Sequence, residues 1–386
     1  METVAPLTQN HSSRICTRCV LDTSVPGIRF DAAGICQYCK IHDQLEQEFP
    51  LDEHTQLKLE KIVQQIKRAG QGKAYDVIVG VSGGRDSTYG LYTAVKLGLR
   101  PLAVHLDNGW NSEIAVTNIK KAVTRLGIDL HTHVLDWEEF KDLQIAFLKA
   151  SVSDAEIPTD VAIHGLLHRV AAAEGVRYIV FAHSFQTEGF SPLGWSYMDG
   201  RYIESVHKKF GHRVLKTYPN FTLRDYLYYR WVKGIKVFPL LAYVPYRPEE
   251  VRGLLEKELD WQYYGGHHHE SYYTHFFHSY YLPKKFGVDK RKLTYSALIR
   301  SGQITRREVL DRVLAEAYPY DEELVQYTVS KLGLSPEEFR QIMAAPRRTF
   351  HDYPTYYPLI KNCRGLIALA ARFNIFPKHL YLKYLG

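Results

Sequence analysis

The chain is poor in sulfur, with five cysteines and three methionines among 386 residues. That is too few thiols for the disulfide framework of a small secreted domain. No stretch approaches the ~20 consecutive apolar residues that a membrane helix needs, and residues 1–13 lack the apolar run of a signal peptide. Membrane spanning and secretion are therefore not expected, and a cytoplasmic location is. Charge of one sign is also in short supply: 49 Lys+Arg against 42 Asp+Glu leaves +7, with no long basic stripe. Such an excess suits an anionic ligand without demanding nucleic acid. The 45% hydrophobic and 24% charged residues are the mixture of a globular protein and exclude disorder. The length suggests two domains, at roughly 100–200 residues each, with a small accessory module.

The few cysteines are not scattered. Cys16-x2-Cys19 and Cys36-x2-Cys39 are separated by sixteen residues that include the turn formers Pro26-Gly27 and Ala33-Gly34. Two such knuckles can wrap four thiolates around one structural Zn²⁺, and four thiolates leave no open position for catalysis. A disulfide pairing is disfavoured in a cytoplasmic protein. Cys363 stands apart and reads as a packed thiol rather than a nucleophile.

After a helical stretch at Leu51–Ala69, strands are expected at Asp76–Val81, Pro101–Leu106, Leu130–Leu135 and Arg177–Ala182. Helices are expected at Ser87–Leu97, Ser112–Leu126, Trp137–Ser151 and Asp160–Glu174, several closed by glycine. Alternation of this kind predicts an α/β fold, a doubly wound parallel sheet with helices on both faces. Ligands then bind at the carboxyl ends of the strands, which directs attention to the residues just after Val81, Leu106 and Ala182. Directly after Val81 stands Ser82-Gly83-Gly84-Arg85-Asp86-Ser87-Thr88: glycines and hydroxyl residues opening a helix, an anion cradle. It is neither a Walker A loop nor GxGxxG.

These residues resemble the SGGxDS pyrophosphate loop of the PP-loop ATP pyrophosphatases, of adenine nucleotide alpha hydrolase-like fold. The loop, the cysteine quartet, Leu106-Asp107-Asn108-Gly109-Trp110, Pro158-Thr159-Asp160, Phe181-Ala182-His183-Ser184, the segment Gly265–Ser271 and Lys284–Arg291 occur together. Their combination is similar to the N-acetyl sugar amidotransferase family of bacterial lipopolysaccharide and O-antigen biosynthesis, over roughly Ile15 to Leu314. The resemblance implies an enzyme that uses ATP and Mg²⁺ to convert an acetamido group of a nucleotide sugar, such as a diacetamido uronic acid, into an acetamidino group. It further implies a glutaminase partner and a cyclase-like subunit that channels ammonia. The absence of an N-terminal cysteine amidase, residue 2 being Glu, agrees with an external nitrogen source.

On this reading Ser82, Gly83, Gly84, Ser87 and Thr88 cradle pyrophosphate, Arg85 adds charge, and Asp86 holds Mg²⁺. Asp107, Asn108 and Asp160 are candidates for the nucleotide site, although Asp107 and Asn108 can be a surface turn and Asp160 a helix cap. His183 is a candidate catalytic residue. Residues 201–300 hold 22 of the 50 aromatics and seven of the 18 histidines: a sugar-binding wall, an RNA-stacking surface or a dense core. Within them, His267, His268, His269 and Glu270 form the expected substrate loop, with His268 and Glu270 moving protons. Lys285 and Arg291 either pair with phosphate or carboxylate or belong to a solvated face. The expected organisation is a cysteine module at 1–50, the ATP-binding domain at 51–200, a substrate region at 201–300 and a mostly helical region at 301–386. In the last, Thr305–Ala345 and Leu359–Gly386 read as helical, with a break at Pro377. The rival is a tRNA-thiolating PP-loop enzyme with a zinc ribbon, disfavoured because sulfur transfer needs reactive cysteines or a cluster near the ATP site and only Cys363 lies outside the quartet. A non-catalytic nucleotide-binding scaffold is disfavoured by the intact loop with Asp86.

Overall fold

A computed structural model of the chain describes residues 14–266 and 268–372. His267 and the Pro377 break, both singled out in the sequence, lie outside the described residues. The chain enters through two turns, closed by antiparallel bridges between Ile15 and Asp22 and between Phe30 and Cys36. Gly27 and Gly34 take positive φ there, 72° and 79°, a conformation that favours glycine. The second cysteine pair runs into α1 (Gln37–Glu48), followed by α2 (Glu53–Ala69), which starts where the Asp52 carboxylate accepts the Thr55 N–H.

Strand and helix then alternate: β1 (Val77–Gly80), α3 (Arg85–Lys96), β2 (Pro101–Asp107), α4 (Glu113–Leu126), β3 (Leu130–Val134), α5 (Trp137–Ala150), α6 (Ile157–Ala173) and β4 (Tyr178–Val180). Ser112 and Asp136 cap α4 and α5, each accepting a first-turn N–H. Helix α6 begins three residues earlier than the sequence predicts, because Pro158 fits a first turn. Asp160 thus sits inside that turn and is not the cap.

The chain continues through α7 (Gly200–Phe210) and α8 (Leu223–Leu227) into β5 (Lys236–Phe238). All five strands are parallel, in the order β3-β2-β1-β4-β5. Four were expected; β5 adds an edge of three residues between Gly234 and Pro239, too short for any periodicity to mark it. The order reverses between β1 and β4, and the crevice lies above that switch point.

Side-chain alternation along β1 divides the interior. Val77 and Val79 face one core with Leu91 and Ala94 of α3 and Ile119 of α4. Ile78 faces the other, with α5, α6 and α7 residues such as Phe147, Leu167 and Tyr202. Helices α9 (Pro248–Leu259), α10 (Tyr272–Phe276), α11 (Arg291–Arg300), α12 (Arg306–Glu308), α13 (Glu322–Lys331), α14 (Pro336–Ala344), α15 (Tyr357–Asn362) and α16 (Arg364–Arg372) complete the described chain. Wide π turns at Phe277–Phe286 and Val309–Val313 interrupt them. Phe276, Phe277 and Tyr281 join the second core, so much of the aromatic-rich segment is packing. Among the described residues no helix is long and apolar enough to cross a membrane.

The four quartet cysteines are fully buried, and their sulfur atoms lie within 4.8 Å of one another. Cys16–Cys39, Cys19–Cys36 and Cys36–Cys39 sulfur separations are 3.8, 3.7 and 3.7 Å. A tetrahedron with metal–sulfur bonds of about 2.3 Å has edges of roughly 3.8 Å, so the thiolates fit a zinc ion. Arg300 of α11 reaches into this cluster, its Nε 3.3 Å from Cys39 Sγ and its Nη2 3.3 Å from Cys19 Sγ. Burial works against the guanidinium charge, but the neighbouring thiols outweigh it and raise its pKa. Arg306 Nε donates to the Cys16 and Cys19 carbonyls, and Lys292 pairs with Asp22 at 2.6 Å. Arg300→Met is expected to cost about 3–5 kcal/mol, the penalty for leaving buried charge unpaired. Urea unfolding followed by tryptophan fluorescence checks this, alongside zinc content, which should be one ion per chain in the native protein and lost in Cys36→Ser.

Candidate active site at the carboxyl edge of the sheet

The loop between β1 and α3 is held open by its own polar atoms. Ser82 and Ser87 hydroxyls lie 3.1 Å apart, the Gly84 N–H donates to Ser82 Oγ at 3.3 Å, and Thr88 Oγ1 donates to the Gly84 carbonyl at 2.8 Å. Gly83 has φ +78°, and a Cβ on it would collide with the Ala115 carbonyl. The loop thus needs glycine on two independent counts. Gly84 forms the N-terminal boundary of α3, so the partial positive charge of that helix end faces the crevice.

The rear of the loop is built by residues that sequence reasoning missed. Trp261 Nε1 donates to the Gly83 carbonyl at 2.9 Å, and the Arg85 N–H donates to the Tyr264 hydroxyl at 3.3 Å. Tyr246 takes the Arg85 Nε at 2.8 Å and hydrogen bonds to Asp86, while Arg85 pairs with Asp86 at 3.1 Å. Part of the aromatic-rich segment is therefore a backing plate for the phosphate loop. Nothing in local spacing marks Tyr246; only the tertiary fold brings it to Asp86.

From β4 comes Glu188, also missed, 17% exposed at its side chain and 4.0 Å from His183 Nε2. Burial and the adjacent Asp86 carboxylate raise its pKa well above the ordinary range. Two carboxyl groups in hydrogen-bonding reach share either a proton or a cation. Asp86 and Glu188 accordingly form a donor pair that fits Mg²⁺. His183 is half-buried between Phe181 and Phe190.

The third side is the Gly265–Ser271 loop. Backbone bonds from the Ser112 N–H to the Glu270 carbonyl and from the Tyr272 N–H to the Trp110 carbonyl, both 2.9 Å, pin it to the loop after β2. Glu270 Oε1 packs against Gly84, 2.9 Å from where a Cβ would stand, and Glu270 Oε2 is buried without a hydrogen-bond partner. The hydroxyls of Ser184 and Thr187 are likewise buried and unpaired. His268 Nδ1 lies 3.6 Å from Glu270 Oε1, with φ +63°, a strained conformation for a residue with a side chain. Burial disfavours its charge, but Glu270, Glu188 and Glu156 outweigh this and raise its pKa to about 9. His268 is therefore an imidazolium at neutral pH and not a base. Glu156, a further missed carboxylate, is bound by Thr274 and lies 3.4 Å from His278.

Other expected residues are engaged elsewhere. Asp107 Oδ1 accepts the Gly109 N–H at 2.9 Å and Asn108 Oδ1 the Trp110 N–H at 3.1 Å. Both thus shape the turn after β2, with Asn108 buried. Asp160 is exposed in the first turn of α6. His269 stacks on His275 at 3.5 Å, and burial lowers its pKa to about 4. Lys285, expected at the substrate or on a solvated face, is buried: its ammonium donates to the Ile342, Met343 and Ala345 carbonyls at the end of α14, where helix carbonyls lack partners. Arg291 forks onto Asp289 and donates to the Val313 and Glu316 carbonyls, both 2.9 Å. Both cations serve the packing of the C-terminal helices.

The His268 proton gives a measurable signature. Folding raises its pKa above the ordinary ~6.5, so its contribution to stability is complete below that value and is lost as pH rises through about 9. Glu270→Gln removes the first of its three acidic neighbours and is expected to bring the His268 titration down toward 6.5, read by NMR of ¹³C-labelled histidine. An unchanged titration would show that Glu270 does not hold the imidazolium.

Comparison with known proteins adds one likeness over part of the chain. No curated protein matches the chain. Among solved structures it is similar to the U34-tRNA thiolase NcsA from Methanococcus maripaludis, at 13% identity and TM-score 0.32, covering 83% of this chain and 98% of that one. It is similar to NMN synthetase from Francisella tularensis at 15% identity and TM-score 0.28, covering 54% and 96%. For the NH3-dependent NAD synthetase from Campylobacter jejuni the values are 15% and 0.26, covering 45% and 72%. The fold assignment itself rests on the sheet order and the Ser82–Thr88 loop. Residues 270–365 match the family described as LPS biosynthesis protein WbpG-like, C-terminal domain. The matched stretch runs from Glu270, beside the phosphate loop, through the helices that grip the cysteine cluster, and over that quarter of its length this chain is similar to the C-terminal domain of the WbpG-like LPS biosynthesis proteins.

Proposed function

We propose that the chain is an ATP-dependent amidotransferase of LPS biosynthesis. It converts an acetamido group of a nucleotide sugar, a diacetamido uronic acid or its relative, into an acetamidino group. The observation that carries this reading is the contact of Glu270, the first residue of the WbpG-like domain, with Gly84 of the SGGRDS loop: one site contains both a nucleotide-phosphate cradle and the LPS-related domain.

The chemistry follows from the weakness of an amide as an electrophile. Its carbonyl oxygen attacks the α-phosphorus of ATP, the bond to the β-phosphate oxygen breaks, and pyrophosphate leaves. The resulting imidate carries AMP as leaving group; ammonia adds to its carbon, the C–O bond breaks, and AMP departs with the original amide oxygen. Ser82, Gly83, Gly84, Ser87 and Thr88 bind the departing pyrophosphate, where the helix end stabilises developing negative charge. Asp86 and Glu188 would hold Mg²⁺, which would supply neutralisation of phosphate charge. His268, as a cation, stabilises the anionic side of the imidate adduct, and the unpaired Glu270 oxygen accepts a proton from the attacking ammonia. His183 supports Glu188.

Ammonia comes from a separate glutaminase, delivered through a cyclase-like subunit in the cytoplasm. Cys363, half-buried outside the cluster, stands in Lys361-Asn362-Cys363-Arg364, which is not a recognisable nucleophile context. The quartet thiols, mutually packed and gripped by Arg300, are poor sulfur carriers, which weighs against the tRNA-thiolating rival.

The test supplies purified protein with ATP, Mg²⁺, ammonium and a panel of acetamido nucleotide sugars whose acetamido oxygen is ¹⁸O. The expected result is sugar-dependent AMP and pyrophosphate, with the label in AMP and a sugar product lighter than its unlabelled parent by about one mass unit, as oxygen becomes NH. Glu188→Gln and Asp86→Asn are expected to lower turnover by roughly 100-fold or more, the scale of a lost electrostatic contact in a transition state. AMP formation that requires tRNA instead, or ADP as product, would overturn the proposal.

A further inference from the structure

A cavity of about 640 Å³ lies away from the phosphate loop, between the cysteine knuckles and the last described helices. Its size is that of a small-molecule site. One wall is the 26–44 segment, the second combines Ser153, Asp154, Leu193 and Gly194, and the third runs from Thr349 to Arg364. Each wall is fixed. The knuckles are held by Arg300, Gly194 packs directly under Pro26, and Phe350 stacks on Tyr197 at 4.4 Å between centroids.

The chemistry of the lining is one-sided. Arg29, Lys40, Lys361 and Arg364 contribute cations, and among the described residues Asp154 is the only acidic one in the lining. Lys40 shares its charge with Asp31 at 2.9 Å. Asp154 is held by the Tyr197 N–H and the Tyr202 hydroxyl, and burial pushes its carboxyl up to about 7, which blunts its opposition to an anion. Tyr38, Phe350, His351 and Tyr357 supply ring faces and edges. Cations for phosphate and rings for a flat heterocycle are what a nucleoside phosphate requires. A half-enclosed space of this volume suits one such molecule rather than a polynucleotide strand.

We propose that this cavity binds a nucleoside diphosphate, free or as the carrier of a nucleotide sugar, at a site separate from the ATP loop. The site abuts the candidate active site through one turn: Asp154 lines the cavity while Glu156 faces His278 and Thr274, two residues on and so at most about 7 Å away along the chain. The inference rests on the cavity and does not depend on amidine formation.

The test is calorimetric titration of UDP and of CDP into the full chain with the ATP loop kept saturated by ATP and Mg²⁺. Saturable binding of either is expected, about tenfold or more weaker in Lys361→Glu/Arg364→Glu, the worth of one charge-assisted hydrogen bond. Both residues are exposed, so unchanged melting and zinc content are expected of that variant. Tyr357→Ala is expected to weaken the nucleotides while leaving inorganic pyrophosphate unaffected. Competition by UDP or CDP against a turned-over nucleotide sugar would identify the ligand as the substrate's carrier, and a change in turnover without competition would identify a free effector; either supports the proposal. No binding of either nucleotide, binding displaced by raising ATP, or binding unmoved by both variants would overturn it.

Discussion

The structure hangs on one buried ionic contact, the Arg300 guanidinium against the Cys19 and Cys39 sulfurs. Four thiolates around a divalent ion carry excess negative charge, and an excess of that kind is costly away from water. A buried guanidinium returns part of it, and in doing so ties the first forty residues to a helix some 260 positions later in the chain. Loop closure over such a distance is entropically expensive, which is why the tie is reinforced by Arg306 on the cysteine carbonyls, Lys292 on Asp22 and Ser296 on the Val20 N–H. Once that junction is made, α10 and α11 are fixed over the sheet edge, and Glu270 at the start of the same segment is delivered to Gly84. The cysteine cluster is thus remote from the candidate site in sequence and central to it in construction.

The candidate site is correspondingly a meeting of three chain segments, each held by its own hydrogen bonds. The phosphate loop is closed by Ser82, Ser87 and Thr88; the β4 extension places Glu188; the Gly265–Ser271 loop is laced to Trp110 and Ser112. Tyr246, Trp261 and Tyr264 fill the space behind. Aromatic side chains suit that duty because each gives a rigid apolar body and one polar atom, so they can pack and still satisfy the loop's carbonyl and N–H groups.

The features legible from sequence divide along the same physical line. Local signals were legible: the CxxC pairs, the glycine–hydroxyl turn after an apolar strand, and the α/β alternation. Each of these is a property of a few consecutive residues. Glu188, Glu156 and Tyr246 were not legible, because a carboxylate or a tyrosine acquires meaning only from a neighbour distant in sequence. The strand β5 escaped because three residues carry no period. Lys285 and Arg291 attracted attention as cations near a supposed substrate, whereas the carbonyls left over at the ends of α14 and the 309–313 turn needed donors more. A basic residue in sequence advertises its charge and conceals which oxygen it will find.

The balance of charge at the sheet edge constrains how the site can be used. Asp86, Glu156, Glu188 and Glu270 lie around a space that includes the cations Arg85 and His268, and Arg85 is already committed to Asp86. Without further positive charge, Glu188 relieves the excess by holding a proton, the direction in which its pKa is moved. A triphosphate adds several negative charges to this space and cannot settle there alone. On the proposed function, a divalent ion held by Asp86 and Glu188 would offset that charge, so that nucleotide and metal would bind together. The strained backbone of His268 fits the same logic. Its φ of +63° turns the imidazolium toward three carboxylates at a cost of about 1–3 kcal/mol, a conformation that persists because those carboxylates reward it.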